Sequence, residues 1–216
     1  KRQLHNHVRR MLEEEYLKEI DTTNYKMVTI SGSRLPHHNI EYPLNHKNLG
    51  AEKPFELVIL QGGSGEANTV DERNDFSLEA KAMIKKIHEA GAEAALYMIH
   101  AYVKPHENTD PEMIKNIKKM YIDAANQNSV LVIPVGIAFE NAYDKNPDIV
   151  LHKEYDGSHP SLLGTYLAAC VVFSSITHKS PLQIQYDYFG KIAEDDKKFL
   201  QQVAKNTVED FYRIKL

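Results

Sequence analysis

The chain has 216 residues, 42% of them hydrophobic and 26% charged, and a formal net charge of −4. This length supports one substantial core and is short for two. The small negative charge argues against a phosphate-driven nucleic-acid binder, and no apolar run approaches the roughly 20 residues that span a bilayer.

Leu4, Val8, Met11, Leu12 and Tyr16 recur at helical spacing and predict a helix over 4–20. "KMVTI" (26–30) reads as a short buried strand ending at the turn "SGS", and 34–54 as a long loop rich in His, Asn and Pro. "FELVIL" (55–60) is a second strand, closed by the turn "QGGSGEA". A helix at 75–90 with Phe76, Ala80, Met83, Ile84 and Ile87 inward ends near Gly91. "AALYMI" (94–99) is a third strand, and Asp110–Pro111 offers a cap and first position for a helix over 111–126.

"VLVIPVG" (130–136) is a fourth strand, followed by an irregular stretch to Pro160. A nearly all-apolar helix over 160–176 and an amphipathic one over 193–213 complete the chain. No internal repeat or low-complexity linker interrupts it, so residues 1–216 read as one domain. Short strands joined by helices of about 10–16 residues imply an α/β fold with a parallel sheet. In such sheets ligands gather at the carboxyl ends of the strands, which here carry the polar turns 31–33, 61–66, 100–106 and 136–159.

Within "EYDGSHPSLLGTYLAAC" (154–170), Asp156 precedes His159 by three residues and Pro160 opens an apolar helix. A carboxylate there can hold one imidazole nitrogen protonated and leave the other free as a base. Alone, the same pattern also fits a plain turn and helix cap. Gln61 follows an apolar strand and precedes two glycines, so its amide can serve as an oxyanion donor. Gly32, after the first strand, offers a backbone N–H for the same purpose, and it equally fits an ordinary turn.

The glycine-rich "GGSGE" lacks the lysine and spacing of a phosphate loop. His37, His38, His100 and His106 invite a metal reading, but no zinc-like spacing joins them and no metal or cofactor is called for. Cys170 is the only cysteine, so no internal disulfide can form, and its apolar helix suggests a buried, inert thiol.

A strand-end Gly, a strand-end Gln and a C-terminal D-x-x-H-P opening a helix resemble the SGNH/GDSL hydrolase superfamily. "DGSHPSLLGTYLAACVVFSSIT" is similar to the C-terminal block of a little-characterised branch, and "VIPVG" fits that branch too. The glutamine of "LQGGS" resembles the strand-end Q-G of sialate O-acetylesterases and acetylxylan esterases. The likeness covers roughly residues 4–185.

It implies a three-layer α/β/α sandwich with a flavodoxin-like parallel sheet. It also implies a serine esterase that needs no cofactor and removes a small acyl group, such as acetyl, from a carbohydrate or similar polar alcohol. Asp156 and His159 match the last two triad members, Gln61 the oxyanion amide and Gly32 the oxyanion glycine. The family's G-D-S or G-N-S turn is absent, and "LHNHVRRML" resembles the segment that follows it. The first strand and the nucleophilic serine are therefore expected upstream of Lys1, where a signal peptide for secretion or periplasmic export would also lie. Ser33 and Ser64 are the fallback nucleophiles. The competing readings are a non-catalytic carbohydrate-binding or scaffold protein of the same fold, and a metal hydrolase using the loop histidines. Oligomeric state and compartment stay open.

Overall fold

The computed structural model describes residues 3–16 and 25–216. In chain order its elements are α1 (Leu4–Glu15), α2 (Glu41–Leu44), β1 (Leu57–Leu60), α3 (Val70–Glu89), β2 (Glu93–Tyr97), α4 (Met113–Asn128), β3 (Leu131–Ile133), α5 (Val135–Lys145), α6 (Leu162–Thr177) and α7 (Glu194–Tyr212). They divide into two compact units. No helix among the described residues is long and apolar enough to cross a membrane.

The sheet unit comprises Lys26–Ala101 and Pro111–Ile133. Its three strands lie parallel in the order β1-β2-β3, with Leu57 opposite Glu93 and Ala95 opposite Leu131. Parallel neighbours need crossovers, and α3 and α4 supply them. α3 buries Phe76, Ala80, Met83, Ile84 and Ile87, the spacing expected of one helix face. It begins at Val70, five residues before the predicted start, because Thr69 caps it by accepting the Glu72 amide at 3.2 Å. α4 begins at Met113 after Glu112, so Asp110 and Pro111 are not its cap and first position.

The α/β class with a parallel sheet, expected from the strand–helix alternation, is what the molecule has. The predicted strand at 26–30 is not one of its strands. Among the described residues this segment pairs with no other, and Met27, Val28 and Ile30 stand about half exposed at 47–49%. β-branched composition marks a segment as able to join a sheet, but a ladder needs an adjacent partner.

The helical unit comprises Lys1–Tyr25, Tyr102–Asp110 and Pro134–Leu216. α6 is its axis: Tyr166 to Ser175 are all buried, and α1, α5 and α7 pack around it. A helix apolar on every side is stable only when covered on every side. Cys170 sits there fully buried, its thiol pKa pushed up by desolvation. The described part of the helix predicted over 4–20 ends at Glu15, and residues 17–20 lie outside the described residues.

Two further corrections bear on the site. The predicted strand 130–136 stops at Ile133, and the stretch read as irregular opens with α5, which buries Val135, Ala138, Phe139 and Ala142. α6 starts at Leu162, not Pro160: Ser161 is its cap, accepting the Gly164 amide at 3.1 Å and donating to the Val150 carbonyl at 2.7 Å. Pro160 instead pairs with His152 in an antiparallel bridge.

Candidate active site

The segment 152–160 is a closed loop. Its ends are held by the His152–Pro160 bridge and by the Lys153 amide donating to the His159 carbonyl at 2.8 Å. Inside it, the Asp156 and Gly157 amides both donate to the Lys153 carbonyl, at 3.2 and 2.9 Å. Gly157 has φ +62, and a side-chain carbon on it would lie 2.0 Å from the Val103 carbonyl oxygen, so this turn accepts only glycine. The Val103 amide in turn donates to the Gly157 carbonyl at 2.9 Å, docking the loop on residues 103–106. Beneath it, His152 is buried with Nδ1 2.6 Å from the Tyr143 hydroxyl.

This closure brings Asp156 and His159 together. Asp156 Oδ1 accepts the amides of Ser158 and His159, both at 2.8 Å, and Oδ2 lies 3.0 Å from His159 Nδ1. Burial resists ionisation of Asp156, but these two amides and the imidazole outweigh it and hold the pKa down at about 2. The carboxylate is thus charged at neutral pH and a strong acceptor for Nδ1–H. That donation selects the imidazole tautomer whose Nε2 is the base. The His159 side chain is 70% exposed and Asp156 only 22%, so the orienting group is sheltered and the base faces outward.

The other predicted residues belong to the sheet unit. Gln61 follows β1 and is exposed. The turn it begins is pinned from below: the Gly62 amide donates to the buried Tyr121 hydroxyl at 3.1 Å, and the Gly63 amide donates to the Glu66 carboxylate. Glu66 is 3% exposed, and burial raises its pKa against the lowering effect of the Gly63 amide and Arg34. A side-chain carbon on Gly62 would fall 2.6 Å from Glu66 Oε2 and 2.7 Å from the Phe76 ring. Neither Glu66 nor Tyr121 stands out in the sequence. A carboxylate three residues after Gly63 was the available signal.

Gly32 lies in an exposed turn at φ +67, and the Ser33 amide donates to the Ile30 carbonyl at 3.2 Å. Ser33 Oγ lies 2.7 Å from His38 Nε2, a contact the sequence did not suggest. Ser64 is exposed, and no histidine among the described residues bonds to it. The loop histidines take separate partners: His37 Nδ1 accepts the Arg34 amide, His38 meets Ser33, and His106 stacks on Tyr102. Among the described residues no group of three His, Cys, Asp or Glu is arranged to hold a metal ion.

No protein-family profile and no curated protein sequence matches the chain. Solved structures do. A DUF4886 family protein from Bacteroides uniformis superposes with a TM-score of 0.69 at 22% identity, covering 87% of this chain and 83% of that one. A protein provisionally assigned as an SGNH hydrolase, from Slackia heliotrinireducens, gives 0.57 at 20% identity over 79% and 91% of the two chains. An acetyl xylan esterase gives 0.58 at 16% identity over 80% and 94%. The likeness is one of fold. It agrees with the α/β architecture that the strand–helix alternation implies.

Proposed function

We propose that this chain carries the acid–base machinery of a serine esterase that removes a small acyl group, such as acetyl, from a carbohydrate or similar polar alcohol. The observation that carries the proposal is the Asp156–His159 pair, with a sheltered carboxylate on Nδ1 and a largely exposed imidazole. The fold shared with an acetyl xylan esterase supports the same reading. In this reading the whole chain serves one hydrolase domain.

A nucleophilic serine attacks the ester carbonyl, and His159 Nε2 takes its proton. The Gln61 amide and the Gly32 N–H hold the oxyanion, each donor contributing about 3 kcal/mol to the transition state. His159 then delivers the proton to the departing alcohol, and water releases the acid from the acyl-enzyme. Asp156 keeps the ring in the working tautomer and stabilises the imidazolium.

The test is fluorophosphonate labelling with peptide mapping on this chain and on its longest natural form. The expected result is a labelled serine upstream of Lys1, with labelling and turnover lost in a folded His159→Ala variant. Labelling of Ser33 or Ser64 would move the nucleophile into this chain. No labelling and no turnover in either folded protein would favour a non-catalytic binding protein of the same fold.

A further inference from the structure

We infer that Ser33 and His38 are positioning residues: their 2.7 Å contact is a clasp that holds the Gly32 turn against the Gln61 turn, so that the two oxyanion donors are presented as one unit. The inference rests on the esterase reading for its chemistry, and on the sheet unit alone for its geometry.

The segment 30–38 contains no strand and needs other restraints. The Ser33 amide closes the turn on Ile30, and the Ser33 hydroxyl reaches forward to His38. Between them lies the short 3-10 turn Leu35–His37, anchored by Leu35 at 3% exposure and closed by the His38 amide donating to the Leu35 carbonyl at 3.0 Å. The hydroxyl–imidazole contact therefore fixes the orientation of Ser33, the residue after Gly32.

Two further contacts fasten this loop beside the Gln61 turn. A side-chain carbon on Gly63 would sit 3.2 Å from the Ser33 carbonyl oxygen and 3.4 Å from Arg34 Cγ, so the two turns touch at Ser33 and Gly63. Arg34 pairs with Glu72 in the first turn of α3 at 2.5 Å, and it shares a cavity of about 180 Å³ with Glu66, the residue that accepts the Gly63 amide. Each turn is thus braced through a neighbour of its proposed donor, and among the described residues neither the Gly32 N–H nor the Gln61 side chain has a hydrogen-bond partner.

The test uses the longest natural form of the chain with p-nitrophenyl acetate. Ser33→Ala and His38→Ala are expected to lower kcat by about 10-fold to 100-fold with KM changed less than about twofold, because donors displaced by about 1 Å lose transition-state binding selectively. His38→Gln, whose amide can still pair with the hydroxyl, should restore most of the rate. Amide exchange at Ser33 should accelerate in both alanine variants, a readout that needs no turnover. Unchanged kcat in both variants, or unchanged exchange, overturns the clasp. So does covalent capture of Ser33 by a fluorophosphonate, which would make it a nucleophile. If His159→Ala keeps full turnover, the esterase reading fails at a different residue, and the exchange measurement still decides the clasp.

Discussion

A side-chain carbon on Gly157 would lie 2.0 Å from the carbonyl oxygen of Val103, far inside the contact distance of a carbon and an oxygen that are not bonded. The glycine between Asp156 and His159 is therefore what lets the loop seat on residues 103–106. At φ +62 an alanine also carries a left-handed penalty of about 1–2 kcal/mol. Gly157→Ala should lower stability by more than that penalty and loosen the Asp156–His159 pair. Thermal denaturation, together with the loss of esterase rate, checks both effects. An unchanged melting temperature would contradict the steric account.

Asp156→Asn should leave the protein folded and reduce turnover by about 10³–10⁴-fold, since an amide can donate to Nδ1 and stabilise the wrong tautomer. The same residue links stability to acid. Its folded pKa of about 2 lies below the ordinary 3.8, so its contribution is full above pH 3.8 and disappears as pH falls through about 2. Acid titration of wild type and Asp156→Asn, followed by near-UV circular dichroism, should show a larger loss across that window in the wild type.

His7 of α1 is fully buried, its ring stacked on Tyr188 at 4.9 Å, and desolvation first, then the neighbouring His5, lowers its pKa to about 4. The unfolded chain takes up a proton near 6.5 that the folded chain refuses until about 4. Stability should therefore be full above pH 6.5 and decline as pH falls from 6.5 to 4. Urea midpoints measured across that range should slope, and His7→Phe should flatten the slope.

Tyr121 is fully buried and its hydroxyl accepts the Gly62 amide at 3.1 Å. Tyr121→Phe leaves that amide buried without its acceptor, which should cost about 1–3 kcal/mol. Urea denaturation measures it. A loss in esterase rate beyond the loss of stability would further tie the Gln61 turn to turnover.

What could be read in advance was local. Asp156 and His159 meet because three residues separate them and a glycine stands between, a geometry written within one loop. α5 was also legible in principle, since Val135, Ala138, Phe139 and Ala142 keep helical spacing, but the apolar run through Val135 reads equally as a strand. The Thr69 cap is hard to read from sequence because the polar residues Asp71 to Asp75 mask the first turns of α3.

The sequence by itself determined the α/β class, the helix faces that build the core, and the aspartate–histidine pair, because each depends on periodicity or on neighbours a few residues apart. Tertiary structure decided the rest. Residues 26–30 have strand composition without a ladder, because pairing depends on a second segment that composition cannot place. Glu66 and Tyr121 hold the Gly62–Gly63 turn, and His38 holds Ser33, through contacts that need the chain to fold back on itself. Burial disfavours the charge of Glu66, whereas the hydrogen bonds that Asp156 accepts keep its carboxylate charged.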